Sequence, residues 1–393
     1  MDICTLNNSE FQVGITLIRR GGIAQEIPLD HVLKLSVIND SMEPFPRVEI
    51  IIKDPSSTVI PLYAADNNSA IGIKIIAQEK YGADVRTINK IHAFNINRVI
   101  PINFSGQSNT YKIEGVSEHY KAWMNPIKFS TGNAKNISVT ETACNILARA
   151  KIPFTRPIKD SSYTSSFITD INSSVKEHIN RLLDLASING SGFYFPWYNQ
   201  IENKLEIDSL TNIINNSTLQ PYNIFSVPSE GFGSEDYYTP TSIEYTNDVT
   251  ATKIDRLSKG IKEYKFDHLK GVFDTRRMLY TDITNGTSVT GFDSIIDNTS
   301  NTEEDINYVQ FGQGHNWFAN IRNAVRTYNG VMVKIRGAAE RNIGDIIVMR
   351  SSPSLKATFS GLWMNMRTTD EYSFGTNKYD QTIIMSRIGK LTK

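Results

Sequence analysis

The chain has 393 residues, 40% of them hydrophobic and 21% charged, with 41 basic side chains balancing 41 acidic ones. That composition belongs to a folded protein and excludes a disordered one, and the length calls for about two to four domains, since one core organises roughly 100 to 200 residues. The net charge of zero supplies no field toward nucleic acid or an anionic membrane, and no run approaches the roughly 20 apolar residues of a spanning helix, so neither specific nucleic-acid binding nor membrane insertion is expected.

The opening "MDICTLNNSEF" has neither the cationic nor the apolar region of a signal peptide. Strands are predicted next, in "FQVGITLI", "VLKLSVIND", "RVEIIIKD", "AIGIKIIAQ", "HAFNINRVI" and "NTYKIEGVSEHY". Each alternates β-branched or aromatic residues with polar ones and is bounded by Gly, Pro, Asn, Asp or Ser. Residues 1–125 therefore read as a small barrel or sandwich, with a hairpin tip at Arg19-Arg20-Gly21-Gly22.

The period then changes to that of a helix. "SVTETACNILARAKIP" places Val139, Ala143, Ile146, Leu147 and Ala150 on one face, with Ser138 and Glu141 at capping-box spacing. "SSVKEHINRLLDLASING" repeats the device with Ser174 and Glu177, and Asn189-Gly190 is the expected stop. "GFYFPWY" and "KLEIDSL" then predict a hairpin whose aromatic strand covers the helix pair, Pro196 marking it as an edge. Residues 126–200 thus form a helical middle domain with an aromatic hairpin.

The Asn-, Ser-, Pro- and Gly-rich stretch 211–241 is the expected domain boundary, and strands within 201–240 are expected to complete the first barrel. Strand pattern resumes at "TSIEYTN". Residues 256–277 are basic and 291–306 acidic, reading chiefly as solvated loops. A third helix is predicted over 315–329, its apolar face formed by Trp317, Ile321, Val325 and Tyr328.

Catalytic and metal patterns are missing. Cys4 and Cys144 are far apart and without ligand spacing, pointing to small buried thiols. The histidines at 31, 92, 119, 178, 268 and 315 form no His-x-x-x-His pair or Cys/His cluster. Gly231-Phe232-Gly233-Ser234 lacks the lysine of a phosphate loop, there is no Gly-x-Ser-x-Gly elbow, and the adjacent Glu235 and Asp236 would point to opposite faces of an extended segment. No catalytic residue, metal site or cofactor is expected.

The last third is an ordered series: helix, strand "VMVKIR", Gly337, the Ile343-Gly344-Asp345 turn, strand "IIVMR", Gly361 with Trp363 in a long strand, a Gly/Asn tip, and a closing strand carrying Tyr379 and Arg387. This is the pattern of a curved antiparallel barrel carrying a helix. Gly337, Gly344, Asp345 and Gly361 are the turn residues, Gly344 in a conformation that disfavours a Cβ and Asp345 accepting a backbone N–H to hold the corner. Trp317, Ile321, Val325 and Trp363 are the packing residues.

The series resembles the carboxy-terminal tube-like domain of phage tail baseplate hub proteins, the family that includes the late-control proteins and the head of type VI secretion spikes. The helix "SVTETACNILARAKIPF" also looks like the one after the first barrel in that family. The resemblance implies a mainly β (α+β) fold of two tube-like antiparallel barrels joined through a small helical domain, the second spanning 241–393 with an insertion at about 271–314. It also implies a structural role in the virion, without enzymatic activity, and assembly in the host cytoplasm. Three chains would form a pseudo-sixfold ring joining the sixfold tail tube protein to the threefold central spike protein, with 271–314 facing the baseplate wedge. A tail-associated cell-wall hydrolase is the alternative.

Overall fold

The computed structural model describes residues 1–7, 9–19, 22–55, 60, 69–81, 84–105, 108–132, 137–161, 164, 167–186, 194–209, 212–213, 216, 218–227, 239–245, 261–267, 272–278, 330–351 and 361–389. The chain is mainly β. It begins with β1 (Asp2–Leu6), β2 (Ser9–Ile18), β3 (Ala24–Ile27), β4 (Val32–Asp40), β5 (Arg47–Asp54), β6 (Ala70–Tyr81), β7 (Asp84–Ser105) and β8 (Ser108–Ser117). The middle holds α1 (Tyr120–Met124), α2 (Val139–Arg149), β9 (Phe154–Thr155), α3 (Val175–Leu185), β10 (Tyr194–Asn199) and β11 (Lys204–Ser209). The remainder holds β12 (Ile224–Val227), β13 (Ser242–Tyr245), β14 (Ile261–Asp267), β15 (Val272–Met278), β16 (Val331–Arg336), β17 (Ile346–Ser351), β18 (Gly361–Ser373) and β19 (Lys378–Gly389).

Among the described residues, one 14-stranded sheet runs through both ends of the chain in the order β1-β2-β6-β7-β8-β5-β4-β18-β19-β16-β13, with β3 on β2, β17 on β18 and β12 on β17. Alternation explains its inner face. Phe11, Val13, Ile15 and Leu17 of β2 and Ile71, Ile73, Ile75 and Ala77 of β6 are buried, while their neighbours in sequence face outward. Each large side chain buried this way contributes about 2 kcal/mol. At the far end of the strand order, Phe225, Val331, Val333, Ile335, Ile347, Met349, Trp363, Ile383 and Met385 make a second core.

The first core is not closed from residues 201–240, as the sequence suggests. β11 pairs with β9 and β10 in a separate small sheet, and β12 runs parallel to β17. What closes it is the far end of the chain. β18 forks: residues 361–364 pair with β17, while Arg367–Tyr372 pair with β4. The fork lies at a register shift between Asn365 and Arg367, where an extra residue bends a strand toward a new neighbour. The β18–β19 tip then inserts Tyr372 and Tyr379 among the residues of β2, β6 and β8. Asn7 between β1 and β2 donates its amide to Asn377 O at 3.1 Å, so the curled sheet meets itself there.

The middle of the chain packs two helices and a hairpin around a core of their own. Val139, Ala143, Ile146 and Leu147 of α2 pack with Val175, Ile179, Leu182 and Leu183 of α3, beneath Tyr194 and Tyr198 of the aromatic hairpin. Ser174 and Glu177 form the full capping box, whereas at α2 one half of it is seen, the Ser138 hydroxyl accepting the Glu141 amide. β10, with Pro196, is an edge strand. α3 ends at Leu185; Asn189-Gly190 lies outside the described residues. The predicted helix 315–329, with Trp317, Ile321 and Val325, and the acidic stretch 291–306 also lie outside them. Of the 271–314 segment, β15 is described, paired with β14 as a hairpin of its own.

Candidate functional site

The inner faces of β6 and β7 change character partway along. After Ile71, Ile73, Ile75 and Ala77 comes Glu79, and Lys90 and His92 sit between Ile88 and Phe94, all buried. Alternation aims these polar groups into the core, and the tip of the β18–β19 hairpin answers them. Lys90 Nζ lies 3.4 Å from Asp370 Oδ2 and 3.1 Å from Gln200 Oε1 of the middle unit, with Lys90 and Asp370 each 1% exposed. The Tyr379 hydroxyl donates to Asp370 Oδ1 at 3.2 Å, and Gln381 donates to the same oxygen. Glu79 accepts the Ala339 amide at 2.8 Å. Burial, with the Lys90 charge second, pushes the His92 imidazole down to about 3, so it is neutral.

Tyr372 and Tyr379 are a cross-strand pair whose rings stack at 4.4 Å, and Phe11 meets both edge-on at 6.1 and 5.4 Å. Gly337 belongs to this packing. A Cβ there would lie 2.4 Å from the Tyr379 ring. Gly337 is therefore a glycine of close approach and not of a turn: among the described glycines only Gly22, Gly132 and Gly344 have positive φ. Gly361 is the first residue of β18, paired with Met349.

The Ile343-Gly344-Asp345 segment does turn the chain. Gly344 has φ +85°, and Asp345 Oδ2 accepts the Asn342 amide at 3.0 Å. The corner is fastened to the fork of β18: the Gly344 amide donates to Asn365 O at 2.9 Å and the Asn365 amide to Asp345 O at 3.0 Å. Arg341, 1% exposed, donates to Asn223 Oδ1 at 3.2 Å, to Tyr222 O and to Gln381 Oε1, with its guanidinium 5.2 Å from the Phe225 ring. One arginine thus joins β12, β19 and the loop. Trp363, expected as a packing residue, is buried in the second core.

Beside this corner a cleft of about 680 Å³ opens between β7, the β10–β11 hairpin and the approach to β12. Its lining holds Glu206, Asp208, Glu340 and Asp345 and no basic residue. Burial raises the carboxyls of Glu206 and Asp208, and lifts Asp345 to about 6 against the opposing pull of its Asn342, Asn223 and Arg341 contacts. On the other side of the second core, a groove beside β13 is lined by Lys334, Arg336 and Lys378 with one carboxylate, Asp380.

Lys90, Asp370, Gln381 and Arg341 carry none of the motifs read from the sequence. For Lys90 a signal was present, a charge on the inward register between Ile88 and Phe94; Asp370 and Gln381 become partners only through the β18–β19 pairing. The thiols of Cys4 and Cys144 are free, half-buried and buried, each pushed up to about 11 chiefly by burial. No group of three His, Cys, Asp or Glu residues able to hold a metal occurs among the described residues.

No protein-family model matches the chain, and no curated protein matches it in sequence. Solved structures do match in fold. A tail protein from Neisseria meningitidis MC58 has 9% identity and TM-score 0.55, over 96% of this chain and 96% of that one. The 43 kDa tail protein of prophage MuSo2 from Shewanella oneidensis has 9% identity and TM-score 0.58, over 95% and 98%. A chain of the half-lidded Francisella PdpA-VgrG complex has 10% identity and TM-score 0.54, over 99% of this chain and 60% of that one. The chain shares the fold of these tail and VgrG-complex proteins.

Proposed function

We propose that this chain is a structural subunit of a phage-type tail, a baseplate hub that assembles as a homotrimer. Three copies, each bringing two β-rich units on one curled sheet, form a pseudo-sixfold ring that joins the sixfold tail tube to the threefold central spike. The observation that carries this reading is the end-to-end likeness in fold to two tail proteins, 96% and 98% of whose chains are spanned. The welded architecture supports it. Both ends of the chain share one sheet and are pinned by the buried Lys90–Asp370 pair, which suits a rigid connector better than a hinged one.

In this reading Gly344, Asp345 and Arg341 hold the corner of the second unit, and the stacked Tyr372 and Tyr379 seal the first. The 271–314 segment faces the surrounding baseplate wedge. The protein resides in the virion after assembly in the host cytoplasm and has no catalytic step of its own. Mass in solution tests the proposal. Sedimentation of the purified chain, alone and with the cognate spike protein, is expected to give a trimer in at least one condition. A strict monomer in both, or hydrolysis of purified peptidoglycan by the chain alone, would overturn it.

A further inference from the structure

The second core is wrapped by strands in the order β12-β17-β18-β19-β16-β13, and its two ends carry opposite charge. At the β12–β17 end lies the cleft with four carboxyls and no cation in its lining; Glu340 pairs with Arg86 at 3.1 Å from just outside it, and Glu206, Asp208 and Asp345 have no side-chain ion pair among the described residues. At the β13–β16 end lies the groove with three cations and one carboxylate. Among the described residues β13, whose Ser242 lines the groove, has one unpaired edge, a liability that proteins usually cover. Lys334 and Lys378 have no side-chain ion pair among the described residues, whereas Lys34, Lys112 and Lys176 each lie against a carboxylate. The cleft has an apolar rim as well: Ile158 is 72% exposed and Ile201 36%.

We infer that the basic groove beside β13 of one copy docks on the acidic cleft beside β17 of the next, so that copies of this chain associate head to tail. The occupant is a second copy because both halves of the contact are on this chain, share no lining residue and sit at opposite ends of the strand order. Such a heterologous contact generates a closed ring when its rotation closes, whereas a twofold contact would need each patch to match itself. Lys334 and Lys378 reach the cleft carboxyls with their long flexible stems, and the rim isoleucines exclude water around them. Charges so placed steer encounter and fix register. This inference rests on the homotrimer reading and names the faces that reading leaves open.

Cross-linking tests it. Lys378→Cys and Glu340→Cys are introduced singly and together into the full chain and treated with a short bismaleimide at neutral pH, where the native thiols, raised to about 11, react little. The double variant is expected to give covalent dimers and closed trimers on a denaturing gel, with neither single variant exceeding the wild type. Lys334→Glu with Lys378→Glu is expected to weaken self-association about tenfold or more, and to flatten its salt dependence. If the protein sediments as a trimer yet the double variant links no better than the singles, the inference is overturned while the homotrimer stands. A strict monomer overturns both.

Discussion

Replacing Lys90 by methionine tests the weld between the two ends of the chain. Methionine keeps the length and apolar stem of lysine but removes the charge that faces Asp370 at 3.4 Å and the donor to Gln200 at 3.1 Å. Both members of the ion pair are 1% exposed, so water cannot replace the lost partner. A buried charge stripped of its partner costs about 3 to 5 kcal/mol. Asp370 keeps the Tyr379 and Gln381 donors, which places the expected loss near the lower end, about 3 kcal/mol. Amide hydrogen exchange locates the effect. Protection should fall by about a hundredfold or more, since each 1.4 kcal/mol is a factor of ten, in β7 around Lys90 and in the β18–β19 tip together. The double variant Lys90→Met with Asp370→Asn removes the stranded charge and should recover at least half of the loss. Protection within threefold of wild type in the single variant, or a loss confined to β7, would refute the argument that this pair joins the hairpin tip to the first core.

Gly337→Ala sets a Cβ 2.4 Å from a Tyr379 ring held by stacking and by its bond to Asp370, whereas Gly344→Ala meets the Trp197 ring only at 3.6 Å and suffers chiefly from φ +85°. Overpacking costs about 1 to 3 kcal/mol and a left-handed alanine about 1 to 2; urea midpoints should show both variants destabilised, and co-introduced Tyr379→Leu should relieve the Gly337 variant only. Asp345, raised from 3.8 to about 6, binds its proton more tightly folded than unfolded. Its contribution therefore favours the fold below about pH 4 and is lost as pH rises through 6, a change of about 3 kcal/mol at most. Urea midpoints between pH 4 and 7 should lose this component in Asp345→Asn, and an unchanged pH profile in that variant would contradict the assignment.

Local structure was legible wherever side-chain period and caps agree. The alternation of β2 and β6, the helical faces of α2 and α3, the capping box at Ser174 and the turn at Gly344 and Asp345 follow from near neighbours in the chain, whose geometry the backbone imposes directly. The same reasoning misplaced Gly337 as a turn glycine, because a residue without a side chain can mark either a positive φ or the approach of a distant ring. It also sought the closing strands of the first core in 201–240, the nearest ones in sequence. Only the tertiary structure decided that the last strands of the chain fill that role. The register shift after Asn365 turns β18 from β17 to β4, which brings Tyr372, Tyr379 and Asp370 to Phe11 and Lys90 across some 280 residues and more. Such pairings depend on complementary burial and charge between segments that share no local pattern, so period reveals that Lys90 faces inward while folding alone determines what it meets.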